Sequence, residues 1–219
     1  MKIAVFGSTG NTGLQLVSQI LERGDECTAL VRNPAKLAQH ESNKNLKIVK
    51  CDILNSEEVA SHIAGHDCVL STLGVAGIAL FKITFYQDSI KAIIEAMRKA
   101  NLKRLICLTS FYSKPDNIYP MMYKMVMRPM LGRHLDSMNE MEEYLFNQCS
   151  DIDYTIVRPP RLLDAAISDS EVKVNENAYF FPDYSTKSQI PRANVAKFML
   201  EALDKNLYVK QGVAIDLVK

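Results

Sequence analysis

The chain of 219 residues is 47% hydrophobic and 23% charged, which excludes disorder, collagen and coiled coil. This length predicts one domain over residues 1–219, able to bury a core without a disulfide or metal staple. With 26 Lys and Arg against 25 Asp and Glu, the net charge of +1 argues against a dedicated nucleic-acid binder, which carries a basic excess.

Ile3–Phe6 predicts a first strand, and four apolar residues before Gly7 are too few for a signal peptide. Leu14, Val17, Ile20 and Leu21 recur at helical spacing, with Gly24 as a C-cap. Cys27–Val31 predicts strand two, Asn33-Pro34 a helix start, and Leu46–Lys50 strand three. Ser56-Glu57-Glu58 opens a short helix ending near Gly65, and Asp67–Ser71 predicts strand four. Cys68–Phe81 is a long uncharged run, but its 14 residues include two Gly and cannot cross a bilayer as a helix. Ile83–Ala100 predicts a long helix with Ile90, Ile93, Ile94 and Met97 inward, and Leu105–Leu108 strand five. Repeated strand–helix units predict a parallel sheet with helices on both faces.

Past Thr109 the pattern loosens. A loop with Pro115 and Pro120 leads to a Met-rich stretch, Met121–Leu131. A helix is predicted over Ser137–Cys149 and strand six at Tyr154–Val157. An irregular region, 161–189, holds strand pieces at Val172–Val174 and Tyr179–Phe181. A helix over Ala193–Leu203 and a strand at Ala214–Val218 complete the chain. The predicted fold is α/β, a single doubly wound Rossmann domain with a mainly parallel sheet. Segments of about 111–135 and 161–189 form a small irregular substrate cover. Among the five Cys, no two lie within four positions, which excludes a disulfide framework and a CxxC site. Cys27, Cys51, Cys68 and Cys107 sit in or beside strand-like runs and predict buried reduced thiols in a cytoplasmic protein.

Gly7-Ser8-Thr9-Gly10-Asn11-Thr12-Gly13 comes directly after the first strand and opens a helix, the setting in which a Gly-rich motif binds a dinucleotide. Gly7 makes the tight turn, Gly10 lets backbone approach a pyrophosphate, and Gly13 lets the helix pack closely on the sheet. The helix N-terminus, with Thr9, Asn11 and Thr12, presents free N–H groups to the phosphates. An NAD site places a carboxylate at the carboxyl end of strand two. Here that position is Arg32, with Lys36 one helical turn on, while Asp25 and Glu26 lie at the wrong end. Arg32 suits a 2′-phosphate, so NADP(H) is the predicted cofactor; the other reading of Arg32 is a solvated surface cation. Asp52 is placed to hydrogen-bond an adenine amine with Ile53 beside the ring, or it caps the following turn. Leu73-Gly74 lets backbone pass close to the nicotinamide ribose. Tyr86, beginning the long helix with Asp88, touches the nicotinamide half or packs at the helix start. Pro159-Pro160 forms a rigid wall at the sheet's carboxyl edge, with Pro159 at the cofactor.

On Gly7–Gly13, Leu30-Val31-Arg32 with Lys36, Asp52, Leu73-Gly74, Thr109-Ser110, Tyr154–Pro160 and Arg192–Met199, the sequence resembles the atypical short-chain dehydrogenase/reductase superfamily. The resemblance is to its NAD(P)-binding, NmrA-like branch, and there to the NADPH-dependent flavin reductase (biliverdin reductase B) family. It covers nearly the whole chain. It implies a monomeric cytoplasmic oxidoreductase that passes hydride from NADPH to flavins and to some bilins and quinones.

Typical members of that superfamily use a Tyr as general acid with a Lys four residues later. None of the nine Tyr has Lys at that spacing: Tyr119 meets Tyr123, and Tyr154 meets Arg158. The absence argues against alcohol–ketone chemistry and fits flavin reduction. There hydride goes to an electron-poor ring, the proton comes from water, and the protein supplies proximity and orientation. Ser110 is the candidate catalytic contact at the nicotinamide or substrate; its other reading is a loop cap. Arg161, the second candidate, comes after the Pro pair where the mammalian family member carries His. It can bind a flavin phosphate or a propionate but cannot donate a proton.

The Met-rich stretch holds Met121, Met122, Met125, Met127 and Met130, half of the 10 Met. Thioethers suit a lid over flat aromatic substrates; the other reading is a short helix packed on the sheet. Lys124, Arg128 and Arg133 line an anionic mouth or a solvated face. His62 and His66 stand i, i+4 across Gly65 without further ligands, so no metal is expected. The missing Tyr–Lys pair also supports an alternative, a non-catalytic NADP(H)-binding sensor of NmrA-like type, and argues against a sugar-nucleotide enzyme.

Overall fold

A computed structural model describes residues 1–40, 42–75, 77, 81–114, 125, 128–182 and 188–218. The elements run β1 (Lys2–Phe6), α1 (Asn11–Glu22), β2 (Glu26–Val31), a 3-10 helix (Pro34–His40), β3 (Leu46–Lys50), α2 (Ser56–Ile63), β4 (Cys68–Ser71) and α3 (Phe85–Lys99). They continue with β5 (Arg104–Leu108), α4 (Arg128–Gln148), β6 (Asp153–Arg158), β7 (Arg161–Leu163), β8 (Val172–Glu176), β9 (Gln189–Pro191), α5 (Arg192–Asp204) and β10 (Gln211–Leu217).

The main sheet has eight strands in the order β3-β2-β1-β4-β5-β6-β10-β8. Its pairings are parallel except that β8 runs antiparallel to β10. The order reverses between β1 and β4, so the ligand crevice of this topology opens at their carboxyl ends. Side chains alternate across β1: Ala4 and Phe6 face one core with Ile90, Ile93, Ile94 and Met97. Ile3 and Val5 face the other core with Leu16, Val17, Ile20, Val195 and Met199. Both faces are apolar because helices cover both, which is why these strands read as continuous hydrophobic runs.

Elements through β5 fall where expected, within a residue or two. Asn33 starts its turn as expected, its Oδ1 accepting the Ala35 N–H at 3.1 Å, but the turn leads into a 3-10 helix. Beyond β5 three expectations change. First, α4 begins at Arg128, nine residues before Ser137. Pro129 suits a helix's first turn, and Leu135, Met138, Met141 and Leu145 carry the inward spacing. The segment expected as cover, about 111–135, therefore overlaps α4 from Arg128 on. Second, Tyr179–Phe181 is not a strand. The chain leaves β8 at Asn177, whose φ is +55°, and the Phe180 and Phe181 rings pack on Phe111 and Tyr112 instead. Third, the region read as irregular opens with β7 and ends at the start of β9, and these two pair in a separate two-stranded sheet.

Pro115, Pro120, Met121, Met122, Lys124 and Met127 lie outside the described residues. Met125 and Met130 are exposed. All five Cys are buried and free. His66 Nε2 lies 2.8 Å from Thr28 Oγ1. Among the described residues no helix is long and apolar enough to cross a membrane.

Candidate functional site

The crevice begins with the loop from β1 to α1. Gly7 has φ +76°, and a Cβ there would come within 2.6 Å of the Thr72 carbonyl carbon and 2.7 Å of the Leu73 nitrogen. The loop after β1 is thus pressed against the loop after β4, with no room for a side chain. A Cβ on Gly13 would fall on the Gly7 carbonyl oxygen and 2.7 Å from Ser8 Cα. Gly13 therefore lets α1 close on its own entry loop, which corrects the expectation that it serves packing on the sheet. Gly10, the N-cap, is extended (φ −78°, ψ 160°), and it provides no side-chain cap. Its N–H donates to the Gly7 carbonyl at 2.9 Å. The first turn of α1 carries no acidic residue. This glycine cradle and uncapped positive helix end fit a dinucleotide's diphosphate. Thr9 is half-buried beside it.

Asn11 and Thr12 are engaged by protein. The Asn11 side-chain amide donates to both Asp164 carboxylate oxygens, at 3.2 and 3.1 Å. Arg192 Nε donates to the same carboxylate at 2.7 Å and Nη1 to Thr12 Oγ1 at 3.2 Å. Asn11, Asp164 and Arg192 border a groove of about 480 Å³ beside α1. Neither Asp164 nor Arg192 was readable as a neighbour of the glycine loop, because each lies more than 150 residues away in sequence.

Arg32 directly follows β2, and Lys36 lies in the 3-10 helix. Both are exposed, and neither has a hydrogen-bond or ion-pair partner among the described residues. At the end of β3, Asp52 Oδ1 accepts the Leu54 N–H at 3.0 Å, and its carbonyl accepts the Asn55 N–H at 3.0 Å. Asp52 therefore caps the following turn. Ile53, expected beside the adenine ring, is 4% exposed within the core.

After β4, Leu73 is half-buried and Gly74 exposed. Tyr86 is buried, and its hydroxyl accepts the Val75 N–H at 3.1 Å. The His134 Nε2 lies 2.9 Å from the Gly77 carbonyl oxygen, and the rings of Tyr86 and His134 meet edge to face at 6.4 Å. Burial pushes the Tyr86 phenol's pKa upward. Tyr86 thus braces the loop after β4 from beneath, the packing role of its two readings. Asp88 is exposed in the first turn of α3.

The ends of β5 and β6 are built from side chains. Ser110 is half-buried, and its hydroxyl has no partner among the described residues. Beneath it lies a buried ion pair that sequence reading missed. Glu142 of α4 is 0% exposed and Arg158, the last residue of β6, 1%. Arg158 Nη2 donates to Glu142 Oε2 at 2.7 Å. Thr109 and Ser113 donate their hydroxyls to Glu142 Oε1 at 2.7 and 2.9 Å. The available signal was a charge at an inward position, four residues past Met138 and seven past Leu135. Pro159 and Pro160 are buried, and the Pro159 carbonyl accepts the Phe111 N–H at 2.9 Å.

Arg161 opens β7, in the separate small sheet, and is exposed with no partner among the described residues. It shares no hydrogen bond with Ser110. Arg128 pairs with Asp136 at 2.8 Å, and Arg133 is exposed.

Residues 7–206 match a protein family described as NAD(P)H-binding. A relative, the photosystem II assembly factor Ycf39 of Guillardia theta, is 24% identical over 98% of this chain; the chain spans 64% of that protein's length. Among solved structures, the anaerobilin reductase ChuY of Escherichia coli O157:H7 superposes with a TM-score of 0.77 at 19% identity, covering 98% of this chain and 96% of ChuY. SP1627 of Streptococcus pneumoniae, a proposed NADH-flavin reductase, gives 0.76 at 18% identity with full coverage of both chains. At these identities the likeness speaks for the fold alone, a Rossmann-like α/β sheet.

Proposed function

The chain belongs to the NAD(P)H-binding family, and we propose that it is a reductase passing hydride from NADPH to flavins or related ring acceptors such as bilins and quinones. One observation carries the acceptor class. The ends of β5 and β6 present the open hydroxyl of Ser110, while the carboxylate there, Glu142, already accepts from Thr109, Ser113 and Arg158. No Tyr–Lys acid is available anywhere in the chain. An acceptor whose ring takes hydride and then a proton from water needs no such acid.

The glycine cradle at Gly7, Gly10 and Gly13 would hold the diphosphate. Arg32, with Lys36, would hold the 2′-phosphate, which favours NADPH over NADH. The bound cofactor supplies the hydride. Ser110 would orient the nicotinamide carboxamide or an acceptor carbonyl, and the buried Pro159-Pro160 would wall the crevice. Arg161 would meet an acceptor's phosphate or propionate. The short-chain dehydrogenase affiliation in its NmrA-like branch belongs to this reading too.

The test is NADPH oxidation in the presence of flavin mononucleotide, riboflavin, biliverdin and a quinone. Turnover with at least one acceptor is expected, reduced in Ser110→Ala with NADPH affinity retained. Tight NADPH binding without turnover on any acceptor would point to a non-catalytic sensor, a reading the missing Tyr–Lys pair also supports.

A further inference from the structure

We infer that the buried Glu142–Arg158 pair is the positioning device of the acceptor side, fixing the loop that carries Ser110 and the aromatic cover segment in one arrangement. The inference rests on the reductase reading for the role of Ser110.

Residues 109–113 are anchored almost continuously. Thr109 and Ser113 donate to the same Glu142 oxygen, at 2.7 and 2.9 Å. The Phe111 N–H donates to the Pro159 carbonyl at 2.9 Å, and the Tyr112 N–H to the Tyr179 carbonyl at 3.2 Å. Tyr112 turns the chain with φ +62°. Among these five residues only Ser110 lacks such an anchor among the described residues, so its neighbours hold it. Arg158 carries the constraint onward. Nη1 donates to the Ala178 carbonyl at 2.8 Å, and the guanidinium stacks 3.8 Å from the centre of the Tyr179 ring. From behind, a Cβ on Gly212 of β10 would overlap the guanidinium, so that glycine makes room for it.

One ion pair therefore ties α4, the end of β5, the end of β6 and the 178–181 cover together. Stability alone does not call for it, since well-packed apolar residues of the same volume serve a buried site equally well or better. Apolar contacts, however, are non-directional. A planar guanidinium fork against a carboxylate fixes direction as well as distance, and orientation is what a catalyst without a general acid has to offer.

The experiment uses the full chain with Thr109→Val and the double variant Glu142→Gln/Arg158→Met, which removes the charges as a pair. Thr155→Val is the control. It deletes a buried hydroxyl of β6 bonded to the Leu207 carbonyl at 3.1 Å, away from this network. The expectation for Thr109→Val is a kcat with flavin mononucleotide lower by about tenfold, and about a hundredfold for the double variant. NADPH affinity, read by cofactor fluorescence, should stay within about twofold, and the rate ratio between flavin mononucleotide and biliverdin should change. Thr155→Val should lower Tm with kcat and that ratio intact. Wild-type kcat and acceptor ratio in Thr109→Val would overturn the inference, whether or not the double variant folds. A wild-type protein that binds NADPH but reduces no acceptor would overturn the reductase reading and this inference with it.

Discussion

The two halves of the sheet's carboxyl edge are built from different materials. Under the ends of β1 and β4 the crevice is backbone, shaped by Gly7 and Gly13, where no Cβ fits. Under the ends of β5 and β6 it is side chains, with Thr109, Ser113, Glu142 and Arg158 meeting in a dry network. The first half depends on missing atoms, and one added methyl breaks it. The second depends on charges that must stay paired, and one removed carboxylate breaks it. A backbone site is specified by a short run of sequence. A side-chain site needs elements far apart in sequence to be packed first.

The largest expected effect is on the second half. Glu142→Ala would leave Arg158 buried without a counter-ion and should cost about 3–5 kcal/mol, read from denaturant melts. A loss under about 1 kcal/mol would show that charge does not hold this half. Next comes the glycine half. Gly13→Ala should lose about 3 kcal/mol together with measurable NADPH binding. Gly10→Ala, whose Cβ would meet only the Gly7 oxygen at 3.3 Å, should be milder in both. Equal losses from the two would mean that the cradle is not shaped as its clashes require.

Arg32→Glu probes the outer rim of the same half. It should shift the NADPH-to-NADH affinity ratio by about tenfold or more towards NADH, and the wild-type preference should shrink with added salt, as exposed charge pairs do. An unchanged ratio would remove Arg32 from the site. The smallest effect lies in the shared core. Burial pushes the Cys27 and Cys68 thiols up to about 12 and Cys51 to about 11, and raises Cys107 and Cys149 as well. A raised pKa leaves little thiolate at about pH 8. The folded protein should therefore resist thiol reagents that label all five Cys once it is unfolded. Fast labelling of the native protein would contradict a packed core beneath both halves.

Much of the first half was legible because its signals are local. The motif Gly7–Gly13, the strand periods and the Arg32 position all lie within single βα units, and the structure keeps them at one edge. Asp52 and Tyr86 show where local reading stops. Asp52 was placed after its strand and Tyr86 at its helix start, but which neighbour each side chain meets depended on the turn at Leu54 and the loop at Val75. The start of α4 was missed because the Met-rich stretch was read as a lid or as a separate short helix. The Tyr179–Phe181 segment has strand-like residues, yet its aromatic rings find partners in Phe111 and Tyr112 rather than in a ladder.

By itself, the sequence determined the doubly wound sheet, the glycine cradle and the cation at the end of β2. Hydrophobic period and Cβ-free backbone act over a few residues and hardly depend on what packs later. Only the tertiary structure decided that Glu142 and Arg158 pair, that Asp164 and Arg192 close on the first turn of α1, and that Ser110 stands unanchored between anchored neighbours. Burial sets the first of these, because an unpaired charge there is too costly to leave alone; the other two depend on elements far apart in sequence meeting at one edge.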